Sequence, residues 1–291
     1  MTIGQNATAA KAALLAAAVL ATPAQAWAGA ADTYYERAFV VAADARCGLF
    51  APQVDAALTA ATAQARGAAL RAGAAEADLD AVAARARSRA GAVSCRDPQL
   101  ATVRARVDGA FSGWARTPRM TFAGARQHWF ADRTKWTQPG WRLKQASTVG
   151  ASPVAFGYGG DPDASALTAV VSFVGRSRPT SARLVFRDEA RAPRAWLSGG
   201  GLAPASSRAS VWATGVSAAD PALLAEGRRA GEAWRFPAAA ADRLARLDPR
   251  ETFLVEFHFR DGSVATARFE AGDFAAGRAF MAMGAPGTSA P

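Results

Sequence analysis

Residues able to do acid–base, nucleophilic or metal chemistry are sparse in this chain. Its 291 residues include two histidines and two cysteines. His128 and His258 are too distant in sequence to form a zinc site without several carboxylates. There is no His-Glu-x-x-His, no phosphate loop ending Gly-Lys-Ser/Thr, no Gly-x-Ser-x-Gly elbow and no Ser-x-x-Lys. Gly157-Tyr158-Gly159-Gly160 and Gly199-Gly200-Gly201 lack a strand-turn-helix setting, so they read as turns and not as dinucleotide loops. Asp161, Asp163, Asp188 and Glu189 stand near turns, where local hydrogen bonding accounts for them. His258, between Glu256 and Arg260, reads as a surface histidine; His128, beside Trp129, is the better candidate base, with a structural role as its plainer reading. No catalytic residue, metal ligand or cofactor is assigned. A hydrolase using carboxylates that only folding brings together is the alternative reading.

The densest chemical signal lies in 117–150. Arg126, His128, Trp129, Arg133, Lys135, Trp136 and Trp141 are the candidate binding residues, and Phe122, Phe130, Arg142 and Lys144 share the segment. Aromatic platforms interleaved with cations suit sugars, anionic headgroups or single-stranded nucleic acid. The same composition suits a domain interface, with tryptophans buried and arginines lying along them, and that is the plainer reading. Any binding surface is expected here. The formal charge of +10 favours anionic partners without choosing among them. Of 34 basic residues only Lys11, Lys135 and Lys144 are lysine, a bias that coding composition explains.

Cys47 and Cys95 are expected to pair. Residues 1–26 read as a secretory leader: Lys11 in the n-region, an apolar run from Ala12 to Ala21, a break at Thr22-Pro23, and Ala24-Gln25-Ala26 for cleavage, with Ala30 as second choice. No later stretch is apolar enough to span a bilayer. An oxidising compartment, most simply a bacterial periplasm, favours a disulfide over a redox cysteine, and there is no Cys-x-x-Cys. Nucleic acid is not an expected partner there.

Four helices should position these cysteines across 31–116. The first runs from a Thr33-x-x-Glu36 capping box to Gly48, and the second starts at Pro52, its end blurred by Gly67 and Gly73. The third spans about Ala75 to Ala90. The fourth starts at Asp97-Pro98 and carries a stripe of Leu100, Val103, Val107, Phe111 and Trp114, read as core. In an up-down-up-down bundle, the end of the first helix meets the start of the fourth. Closing that loop contributes on the order of 4 kcal/mol.

Beyond the connector at 117–150, residues 151–282 read as many short strands with short helices, and 283–291 as a mobile tail. Strands are expected at Val154–Tyr158, Ala166–Val174, Ala182–Arg187, Arg208–Thr214 and around Trp234–Phe236. Short helices should follow Asp220-Pro221 and Pro237, and Asp273 should cap a last one. The clearest element is a hairpin over 251–270. A three-residue loop, Arg260-Asp261-Gly262, places Phe257 opposite Ala265, Val255 opposite Ala267 and Phe253 opposite Phe269; a two-residue loop would set that apolar row against charges. The other face, with Glu256 opposite Thr266, reads as solvated. The fold class is therefore α+β: a disulfide-closed helical bundle, then an antiparallel, sandwich-like β domain.

The run Ala241-Asp242-Arg243-Leu244-Ala245-Arg246-Leu247, then Phe253–Phe259, Asp261-Gly262, Val264–Phe269 and Gly272–Phe280, resembles the end of the invasion-associated locus B proteins. The resemblance implies an exported bacterial β domain without enzymatic chemistry. That family carries cysteines in this domain and this half has none, so no functional residue is carried over. The function expected is an exported, non-enzymatic binding or structural protein of the envelope. Its partner would be a lipid headgroup, an anionic polysaccharide or another envelope protein.

Overall fold

The structure is a computed structural model that describes residues 23–159, 166–175 and 177–286. Most of the expected leader, the turn acids Asp161 and Asp163, and the last five residues of the expected tail lie outside this set.

Among the described residues four helices come first: α1 (Pro23–Cys47), α2 (Pro52–Arg71), α3 (Glu76–Ala92) and α4 (Pro98–Ala115). Asp44 ends α1 by accepting from the N–H groups of Leu49 and Phe50. Pro52 opens α2, and Asp97 caps α4 by accepting from the N–H of Gln99. The capping box does not start α1. Thr33 lies inside the helix and donates back to the Gly29 carbonyl, because the alanine-rich sequence before it continues the helix without a break. The two expected cleavage positions, Ala26 and Ala30, thus fall in the first turns of α1. Cys47 and Cys95 form the expected disulfide, with Cα atoms 5.5 Å apart.

Eleven strands follow among the described residues, all in antiparallel pairs and two sheets. The larger sheet has the order β1-β2-β3-β4-β5-β9-β8, from Arg119–Phe122, Trp129–Asp132, Trp141–Val149, Ser152–Gly159, Thr168–Val171, Glu232–Arg235 and Gly215–Ala218. The smaller has the order β11-β10-β6-β7, from Val264–Glu270, Thr252–His258, Ser181–Arg187 and Arg208–Trp212. The hairpin β10–β11 has the expected register: Phe257 faces Ala265, Val255 faces Ala267 and Phe253 faces Phe269. Gly262 closes its loop in the left-handed region at φ 81°, where a side chain would be strained. The hairpin's other face is less solvated than its pattern implied. Glu256 accepts from Arg183 on β6 at 2.7 Å, and His258 lies 5.2 Å from the Trp212 ring.

The sheets face each other across one aromatic core. The Phe156 ring of β4 lies 5.2 Å from Phe253 and 5.5 Å from Phe269, both on the smaller sheet. Each fully buried phenylalanine contributes roughly 2–3 kcal/mol. The larger sheet is wider than its partner. After the short α5 (Ala239–Arg246), the same face under β1–β3 is covered by α6 (Phe274–Ala282), which packs in turn on α2. Ala57 and Ala60 of α2 belong to the same core as the sheet residues, so the helical layer and the sandwich share one interior.

Two further sequence expectations change. The segment 117–150 is not a linker: it supplies β1, β2 and β3, whose buried Phe122, Trp129, Ala131 and Leu143 face inward. Asp273 does not cap α6 with its side chain. It is buried and pairs instead with Arg71 of α2.

Candidate functional site

Because α6 and the smaller sheet cover the inner face, only the outer face of β1–β3 is open to a ligand. Alternation places it. In β2, Trp129 and Ala131 point inward, while Phe130 points outward and is 49% exposed. Register then lines up Thr121, Phe130 and Lys144 across three strands. Further along the same face, Pro221–Leu223 packs Leu223 onto Trp141, Val170 and Ala233 and closes that part of the sheet.

What stays open is a groove of about 600 Å³. Phe130 and Trp141 supply its apolar surface, and Arg119, Lys135 and Lys144 its cations, with Asp132 the carboxylate among the lining residues. Trp141 is mostly buried and fixed from behind, its indole N–H donating to the Leu223 carbonyl at 3.0 Å. Lys135 is carried on a 3₁₀ turn, Arg133–Trp136, which Asp132 caps by accepting from the Thr134 N–H. Its alkyl stem runs over Gly140. Arg119 donates to Asp132 at 2.8 Å. Burial pushes the Asp132 carboxyl up, but the Thr134 and Arg119 hydrogen bonds outweigh it and hold the group below its ordinary range. Neither Lys135 nor Lys144 forms an ion pair among the described residues.

The seven sequence candidates separate. Lys135 and Trp141 line the groove. Trp129 is core, its indole donating to the Ala271 carbonyl. Trp136 is covered by Arg142, whose guanidinium lies 4.6 Å from its ring. Arg133 is 2% exposed and donates to the carbonyls of Ala115, Thr117, Met283 and Gly284. It therefore also holds the first residues of the expected mobile tail. His128 is exposed and accepts from the Gly124 N–H, closing the β1–β2 turn. Arg126 lies at that turn and pairs with Glu270, lining a separate depression with Arg268.

Arg119, Asp132, Phe130 and Lys144 complete the groove outside that candidate set. Phe130 carries no signal in a strand of four residues, because the covering of one face by α6 decides that it and not Trp129 meets solvent; Arg119 and Asp132 carry none either, since their pairing depends on β1–β2 register.

One carboxylate pair that folding brings together among the described residues is Asp44 with Asp55. Burial, then the neighbouring Asp44, raises the Asp55 carboxyl above its ordinary range. Asp44 closes the α1–α2 turn with two backbone N–H groups, which gives the pair a structural role. Among the described residues no cluster of His, Cys, Asp and Glu could hold a metal ion. No family model, curated protein or solved structure matches the chain.

Proposed function

We infer that this is an exported protein of the bacterial envelope that acts by binding, and that the groove over β1–β3 takes an acidic polysaccharide. The observation that carries the reading is the half-exposed Phe130 in register with Lys144, between Arg119 and Lys135. An aromatic face gives a sugar ring a platform, and the unpaired ammonium groups favour carboxylate or phosphate substituents. Export is supported by the leader pattern and is consistent with the disulfide. No described helix is long and apolar enough to cross a membrane. Binding is favoured over hydrolysis by Asp132. A general acid needs a raised pKa, and this carboxyl is held low beside Arg119.

Calorimetric titration with a galacturonate hexamer, against neutral maltohexaose, tests this reading. The acidic oligomer should bind and weaken as salt rises, and Phe130→Ala and Lys144→Glu should each cost about 1 kcal/mol. Equal binding of both oligomers, or wild-type affinity in both variants, would contradict it.

A further inference from the structure

The helical layer is not packed throughout. Tyr34, Leu70, Leu79 and Val82 form one apolar cluster, and Ala43, Leu49, Ala90 and Leu100 another at the disulfide end. α4 joins the second cluster through Leu100 and the main core through Ala115. Both ends are tethered: Cys95, just before α4, is bonded to Cys47, and Arg133 holds the Ala115 carbonyl. Between those tethers Val103, Val107 and Phe111 are only half-buried. They face Tyr35, Phe39 and Leu58 across a cavity of about 540 Å³. The stripe on α4 is therefore not closed core as its spacing implied. It forms the wall of a slot.

The slot's size and charge select its occupant. One turn of an α-helix about 10 Å wide fills about 420 Å³, so a partner helix has room for little more than a single turn. A volume in this range with mainly apolar lining suits a small molecule. Arg37 and Arg106 stand at the rim against Glu36, an excess of positive charge beside apolar walls. We propose that the slot beneath α4 binds one alkyl chain carrying an anionic headgroup, with the chain along Val103, Val107 and Phe39 and the headgroup at Arg106. This is independent of the sheet groove and of its polysaccharide.

The test is titration of the oxidised full chain with laurate and with 1-dodecanol, read by displacement of anilinonaphthalene sulfonate. Laurate should saturate at one site. Val107→Trp, which fills the slot, should weaken both ligands about tenfold, as expected for displacing a few methylenes. Arg106→Glu lies on the surface and should not disturb folding; it should weaken laurate about fivefold and leave dodecanol unchanged. Lys144→Glu in the sheet groove should leave both unchanged. The proposal fails if laurate does not saturate, or if Val107→Trp folds with an unchanged circular dichroism spectrum and binds as tightly. It fails equally if Arg106→Glu affects laurate and dodecanol alike, or if Lys144→Glu removes binding. Sedimentation showing a dimer that Val107→Trp dissociates would assign the slot to a second copy and overturn it.

Discussion

Arg133 and Lys135 stand two residues apart in one 3₁₀ turn and do opposite things. Arg133 faces inward and satisfies four backbone carbonyls from α4, the chain after it and the end of α6. It has no carboxylate partner in those bonds, and burial lowers its pKa. Its fork geometry matters more than its charge. A lysine reaches fewer carbonyls and leaves the rest buried without a donor, at about 1–3 kcal/mol for each orphan. Arg133→Lys should therefore lower stability by about 2 kcal/mol or more in urea denaturation, whereas Lys135→Arg on the exposed side should change it by less than about 0.5 kcal/mol. Equal effects would mean that the carbonyl contacts do not hold α4 in place.

At the scale of elements, two glycines in helices separate packing from chance. Gly67 lies inside α2 where a Cβ would collide with the Asp273 side chain; Gly109 in α4 has open space around it. Gly67→Ala should destabilise by about 1–3 kcal/mol, because α6 and the Arg71–Asp273 pair must shift. Gly109→Ala should stabilise by roughly 0.5–1 kcal/mol through backbone entropy alone. Thermal melting of the two variants checks the contrast, and a stabilising Gly67→Ala would refute the close approach of α2 to α6. Sequence gives a glycine such as Gly67 the look of a helix break, since the residue it makes room for lies some two hundred positions later. The hairpin β10–β11 was legible because seven alternating positions and an Asp-Gly turn over-determine its register. The strands β1 and β2 were not, because four residues each are too few to display a period of two. Phe122, Trp129 and Leu143 also stand in a segment rich in cations, a composition that an interface shares. The candidate site was legible as a region and not as a set. Whether Trp129 or Phe130 meets solvent depends on which face α6 covers, and that is a tertiary fact.

For the molecule as a whole, the wide sheet sets the functional geometry. The smaller sheet and α6 cover the inner face of the seven strands, and the Pro221–Leu223 turn covers only part of the outer one, so the outer face at β1–β3 stays bare. The net charge of +10 draws acidic polymers toward the whole surface, so affinity alone does not locate a site. Amide hydrogen exchange of the full chain with and without saturating galacturonate hexamer is the most direct measurement. Binding at the groove predicts added protection across 119–149, centred on the strands that carry Phe130 and Lys144 and on the turn that carries Lys135. Protection confined to other parts of the chain, or spread evenly over its cationic surface, would contradict it.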